Sequence, residues 1–281
     1  MSNTTAILDY TFKISMLDTP SLNFTAYIAT VVAQTSTQPT AAFITDVAYN
    51  SFGSLAVMLI ILLVLQMLQH HLKANPTVFV RYPALTTKEP HPHTSIAVSV
   101  LVAILFGLAM AIAGITTSNP LPPTLGMALF RLAGTLFVYD FGLYLVHVMQ
   151  HFFPICVKYH KIHHEVALYA SDVTNGALPD FVEAFVPILI VPTIMQFNII
   201  EVWVLASLLQ IHGAIAHAGC SIPIMDWCEF ALVGPRFHSV HHLLHRGNYG
   251  TLFTIWDHIV GTAISTDEAN KRVWRYRGKS S

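Results

Sequence analysis

The chain has 281 residues, of which 54% are hydrophobic and only 10% charged, with a mean hydropathy of +0.57 and a formal net charge of -1. This composition excludes an ordinary water-soluble domain and points to lipid as the solvent; near-zero charge without a basic block excludes nucleic-acid binding. Cys156, Cys220 and Cys228 form neither an even set nor a C-x-x-C pair, which argues against a disulfide framework and a thiolate zinc site, whereas the sixteen histidines are a compositional anomaly.

Residues 1–50 are rich in Thr, Ala and Ser and lack the basic start and cleavage site of a signal peptide, so they are left as an N-terminal segment of open structure. Its two sequons, at Asn3 and Asn23, are usable only if this end is lumenal. The apolar runs Phe52–Leu68 and Ile96–Ile115 each suffice to cross a hydrocarbon core of about 30 Å at about 1.5 Å per residue. They predict a first transmembrane hairpin over 51–123. A proline-rich turn, SNPLPPT (118–124), leads into a third apolar helix that carries Arg131 and Asp140. Ionisable groups inside a membrane are functional candidates by default, and nine residues of helix place these two too far apart to pair.

Two further apolar stretches, FVEAFVPILIVPTIMQFNII and EVWVLASLLQIHGAIAH, are closely joined and contain Pro187 and Pro192. They predict a hairpin that either crosses and returns or dips in without crossing. The expected fold is an all-α integral membrane protein, with about four transmembrane helices and a cytosolic helical cap carrying a histidine-rich dinuclear metal site. With the first helix running from lumen to cytosol, twelve of the 14 Lys and Arg fall on one side, against Lys13 on the other and Arg131 within a span. The positive-inside rule then puts the histidine clusters and the C-terminus in the cytosol.

The histidines recur in patterns. His147 and His151 are four apart at the end of the third helix, and H-x-x-H-H occurs twice, as His160, His163, His164 and as His238, His241, His242. Spacings of three and four place imidazoles on one helix face, where they can offer nitrogens to a metal. His212 and His217, about 140° out of line on an ideal helix, serve one site only if the helix ends or bulges near Gly213. Ten ligands are too many for one ion, so the count suggests two; imidazole suits zinc, copper, iron and nickel alike. Neutral ligands around cations call for carboxylates nearby, and Asp140, Glu165, Asp172, Asp180, Asp226 and Asp257 are the candidates, with Asp172 and Asp257 preferred for their closeness to the boxes. His70, His71, His91, His93, His245 and His258 read as interfacial or satisfied polar residues.

HVMQH (147–151), HKIHH (160–164) and HSVHH (238–242), with RGNYGTLFTIWDHIVGT (246–262) behind them, resemble the membrane-bound fatty acid hydroxylase and sterol desaturase superfamily. The resemblance covers roughly 131–262 within a catalytic region of 124–281. It implies a non-haem di-iron centre at the cytosolic face of the endoplasmic reticulum, O2 activation, and hydroxylation or dehydrogenation of an unactivated C–H bond of a lipid, sterol or other lipophilic metabolite. It also implies electrons from NAD(P)H through a reductase and possibly cytochrome b5. No H-P-G-G haem motif occurs, so the donor is expected to be a separate protein. By position, the eight boxed histidines would be iron ligands, and His212 and His217 would belong to the intervening histidine region. Hydroxylation is the leading expectation, followed by desaturation or C-methyl oxidation. A divalent-metal transporter or metal-binding membrane protein is the alternative from another class; transporters, however, hold their ligands near the bilayer midplane, whereas these boxes lie at helix ends on one side.

Overall fold

The computed structural model describes residues 40–74, 92–116, 118–165, 173, 175–218, 222–269 and 271. The N-terminal sequons, Asp172, Cys220 and the basic C-terminal tail lie outside the described residues. Helices α1 (Thr40–Ala74), α2 (Pro92–Ile112), α3 (Leu125–Phe152), α5 (Leu178–Ile194) and α6 (Ile199–Ala216) form the bundle. The shorter α4 (Pro154–His164), α7 (Pro223–Trp227), α8 (Pro235–Leu244) and α9 (Ile255–Val260) form the cap at one end. Among the described residues the β-structure is a single bridge between Leu232 and Phe253.

Three helices contain stretches long and apolar enough to cross a membrane, Phe43–Ile61, Leu125–Phe152 and Ile199–Ala216; the described apolar part of α2, Val100–Ile112, is shorter. Helix α1 begins ten residues before the boundary drawn at residue 50, so the hairpin and the N-terminal segment share one helix. Side chains such as Phe130, Phe137, Ile190 and Val204 point outward, as expected where lipid is the solvent.

The two closely joined apolar stretches form a helical hairpin, α5 followed by α6. At the start of α5 the Asp180 carboxylate accepts from Gln150 Nε2 at 2.7 Å, near the end of α3, and at its finish the Met195 carbonyl accepts from Arg131 at 3.3 Å, near the start of α3. Helix α5 therefore runs antiparallel to α3 along nineteen residues, about 28 Å. Close passage is made possible by Gly142, where a Cβ would fall 2.7 Å from Pro187 Cβ.

Asparagines replace water at the far end of the bundle. Asn119 Nδ2 donates to the carbonyls of Gly114 and Phe197 at 2.8 and 2.9 Å, Asn198 Nδ2 donates to Asn119 O at 2.6 Å, and Asn50 Nδ2 donates to Ile115 O at 3.3 Å. Asn198 and Glu201 also cap α6 reciprocally. A core of Phe106, Met110, Ile115, Ile188, Phe197, Ile199, Val202 and Leu205 lies against this lock. Arg131 finds its partner here: it pairs with Glu201 at 3.0 Å and lies 4.2 Å above the Phe197 ring. Its role in the structure is to join α3 to α6.

Asp140 is also structural. Fully buried in α3, its carboxylate accepts from Leu252 N at 2.8 Å, Phe253 N at 3.1 Å, Thr251 Oγ1 at 3.0 Å and Trp256 Nε1 at 2.8 Å. One side chain thus ties the membrane bundle to the cap loop that positions the histidines. Asp140→Ala strands all four donors, a cost on the order of 4 kcal/mol. It is expected to lower the thermal unfolding midpoint in detergent by more than Asp140→Asn does; a variant as stable as the parent would contradict this assignment.

Candidate metal centre

Four helices deliver imidazoles to one place. The end of α3 carries His147 and His151, α4 carries His160, His163 and His164, α6 ends at His217, and α8 carries His238, His241 and His242. Both boxed helices start with proline in the first turn, Pro154 and Pro235, where a missing N–H is harmless. Helix α8 stops at His245, whose φ of 53° is left-handed.

The structure sorts nine of the ten expected ligands into two groups. His147, His151, His160, His164 and His241 form one; His163, His217, His238 and His242 form the other, and within each group the candidate ligand atoms lie within 4.8 Å of one another. The two H-x-x-H-H boxes are used reciprocally. In α4 the i, i+4 pair His160 and His164 serves the first group and His163 the second; in α8 the pair His238 and His242 serves the second and His241 the first.

Hydrogen bonds fix the tautomers. Nδ1 of His147, His241, His163 and His217 contacts the carbonyls of Tyr249, Gly247, Asn175 and Gly213 at 2.7, 2.8, 2.9 and 2.7 Å. A carbonyl only accepts, so each Nδ1 carries the proton, and a neutral ring is left with a lone pair on Nε2. The Nε2 atoms of the site converge: those of His163 and His217 are 3.1 Å apart, His217 and His238 3.0 Å, and His238 and His242 3.0 Å. In the first group His151–His241, His160–His164 and His164–His241 are separated by 3.2, 3.1 and 3.2 Å. His163 and His217 face each other as two acceptors with no hydrogen between them, an arrangement that repels unless a cation lies in it. Two nitrogens bound at about 2.1 Å with an angle of about 90–105° are about 3.0–3.3 Å apart, so the donor set fits a metal in each group.

Burial, and then the neighbouring imidazoles, push His164, His238, His241 and His242 well below the ordinary histidine range, so they are neutral at pH 7 and ready to ligate. The carboxylate nearest the site is Asp180, whose Oδ1 accepts from His160 Nδ1 at 3.0 Å. Asp257, preferred from sequence, touches no ligand histidine. Its oxygens accept from Tyr249 N at 2.9 Å, Gly250 N at 2.6 Å and Thr262 Oγ1 at 2.6 Å, and so shape the loop whose carbonyls orient His147 and His241. Asp172, the other preferred acid, lies outside the described residues. Sequence reasoning also missed Gln150, Asn175 and the carbonyls of Gly247 and Tyr249, since a backbone acceptor leaves no mark in residue type.

His212 stands outside both groups. Helix α6 runs through it and ends at Ala216, so His217 turns to the metal groups while His212 points elsewhere on the helix, into the cavity described next. Gly213 is required at this end because a Cβ there would fall 2.8 Å from Val173 Cγ2. His245 packs on His164 at 4.6 Å without joining a group, and His258 is exposed.

A cavity of about 310 Å³ extends from His147, His163 and His217 into the bundle between α1, α2, α3 and α6, walled mainly by apolar side chains such as Val57, Ile61, Val102 and Leu209. The fatty acid hydroxylase family model matches residues 132–262, a span that contains every histidine of both groups. Over residues 132–262 the chain is similar to the fatty acid hydroxylase and sterol desaturase superfamily.

Relatives of this chain include methylsterol monooxygenase 1 of Rattus norvegicus, 27% identical over 161 residues, 54% of this chain and 53% of the relative. The Delta(7)-sterol 5(6)-desaturase of Eremothecium gossypii is 26% identical over 152 residues, 50% of this chain and 41% of the relative. The cholesterol 25-hydroxylase-like protein of Danio rerio is 27% identical over 147 residues, 47% of this chain and 54% of the relative. The chain thus spans about half the length of the curated relatives it matches, and no solved structure matches it.

Two outcomes follow from the site's electrostatics. Unfolded histidines take up protons below about pH 6.5 whereas the buried ones do not, so metal-free protein should lose stability as pH falls below that value. A melting temperature in chelator that is flat from pH 7.5 to 5.5 would contradict the burial assigned here. Asp180→Ala is expected to weaken metal retention about 10–100-fold in a chelator competition, through lost orientation of His160; unchanged retention would remove Asp180 from the site.

Proposed function

We propose that this chain is a membrane-bound di-iron oxygenase that uses O2 and electrons from a separate protein to hydroxylate a C–H bond of a lipophilic substrate, with sterols the favoured class. The observation that carries the reading is the convergence of nine imidazoles on two centres at the mouth of a mainly apolar cavity. One iron would be held by His147, His151, His160, His164 and His241, and the other by His163, His217, His238 and His242. When bound, the pair would supply activation of O2 and removal of hydrogen from an unactivated C–H bond.

The chain's own residues supply binding and orientation. Four backbone carbonyls and Asp180 accept from Nδ1 of His147, His241, His163, His217 and His160, which leaves the Nε2 of these five rings to act as electron-pair donors. The apolar walls admit a hydrocarbon while excluding water, which limits escape of a reactive species to solvent. Desaturation or C-methyl oxidation is the second reading, favoured by relatives named as a sterol desaturase and a methylsterol monooxygenase. A metal transporter fits less well, because both groups lie at one end of the bundle and the adjoining cavity is mainly apolar.

In this reading the protein resides in the endoplasmic reticulum, with residues 1–50 lumenal and the metal centre and C-terminus cytosolic. Lys158 and Lys161, both exposed on α4, offer positive charge to an acidic electron donor such as cytochrome b5, itself reduced from NAD(P)H by a reductase. The test is reconstitution of the purified chain with iron, NADH, reductase, cytochrome b5 and a sterol panel under 18O2. A product carrying one 18O atom, absent from a His163→Ala/His241→Ala variant, is expected. A product two hydrogens lighter selects the desaturase reading, and no product with an iron-replete protein contradicts both.

A further inference from the structure

Polar atoms buried in a membrane bundle ordinarily find partners within the protein. Apart from the histidines of the two metal groups, four that line the cavity do not: Ser54 Oγ, Trp203 Nε1, Gln210 Nε2 and His212 Nε2. A serine or threonine inside a helix usually donates to the carbonyl one turn earlier. Ser207 and Thr135 do so here, to Trp203 O and Arg131 O, both at 2.7 Å. Ser54 does not, and its hydroxyl stays free at the cavity wall.

Ser54 and Trp203 occupy one place. A Cβ on Gly53 would fall 2.7 Å from Trp203 Cε2, the carbon bonded to Nε1, so the indole lies against the turn of α1 that carries Ser54, with Tyr49 stacked on it at 5.4 Å. This place is remote from the histidines. Along α6, Trp203 precedes His217 by fourteen residues, about 21 Å. The cavity therefore has nitrogen ligands at one end and two unsatisfied polar groups at the other; Gln210 and His212 lie between them on α6, and the remaining wall is mainly apolar.

The chemistry of the far end restricts its ligand. An indole N–H only donates, so it needs an acceptor oxygen. No Lys or Arg lines the cavity among the described residues, so a carboxylate or phosphate would be buried there without a countercharge. The remaining choice is a neutral oxygen at the end of an otherwise apolar molecule. We infer that Ser54 and Trp203 bind the 3-oxygen of a sterol, so that the hydrocarbon side chain, rather than the oxygen-bearing ring, meets the histidines. This inference rests on the sterol oxygenase reading for its substrate class and directs oxidation to carbons far from the oxygen. Gln210, midway along α6 between Trp203 and His217, and His212, nearer the histidines, are not needed for it.

The test is equilibrium binding of cholesterol and of cholestane, which lacks the 3-oxygen, to the iron-loaded full chain in nanodiscs. A site built to bond an oxygen rejects the analogue without it. Wild type is expected to bind cholesterol on the order of tenfold more tightly than cholestane, with the preference cut about fivefold by Ser54→Ala or by Trp203→Phe and abolished by both, at unchanged iron content. Equal binding of the two by wild type, no binding of cholesterol, or a preference that survives in the double variant would each overturn the assignment. Binding needs no turnover, so discrimination without product would count against the oxygenase reading alone, whereas 18O-labelled product without discrimination would count against the oxygen subsite alone.

Discussion

Two imidazole lone pairs held 3.1 Å apart with no proton between them, as in His163 and His217, repel one another. The fold gathers nine imidazoles in two clusters, and the backbone around four of them keeps such lone pairs aimed inward. Carbonyls of Gly213, Asn175, Gly247 and Tyr249 take the Nδ1 protons, which denies the rings the tautomer that would relieve the repulsion. Burial denies them the second proton that would turn them away from a metal. A cation at each cluster would reconcile the arrangement, and in the proposed reading the metal is a component of the folded state as well as of the chemistry.

Reciprocal use of the two boxes explains why one pattern occurs twice. A helix offering residues i, i+3 and i+4 has two aligned nitrogens and a third displaced around the axis. Two such helices, α4 and α8, can each give the aligned pair to one centre and the odd residue to the other. Neither helix can then move without disturbing both centres. The bundle sets their spacing through Asp140, which anchors the loop following α8, and through Asp180, which fixes His160 where α5 enters. Reactivity at the cap is in this way tied to the position of α3 and α5 in the membrane.

Much of this was legible in the sequence because the signals are strong. Apolar length gave the long helices, the proline-rich turn at 118–124 gave the start of α3, and His spacing gave the helix faces that meet. What escaped notice depended on contacts rather than composition. Arg131 and Asp140, singled out for being charged in an apolar helix, have partners in Glu201 and in the backbone of Leu252 and Phe253, which no local pattern announces. Asp257 is the acid preferred from sequence because it lies in the motif that flanks the last box, yet α5 brings Asp180 to His160 across nineteen intervening residues. The 140° offset between His212 and His217 was visible beforehand, and the helix end at Ala216 decides which of the two faces the centre.

The most direct measurement of the central claim is iron stoichiometry per chain in protein from iron-supplemented cells, purified in mild detergent, beside His238→Ala/His242→Ala and His147→Ala/His151→Ala variants. Two irons in the parent, with loss of iron in each variant that keeps the parent's monodispersity, is the result predicted by two centres sharing two boxes. A parent with one iron, or with none while remaining folded, would contradict the dinuclear account.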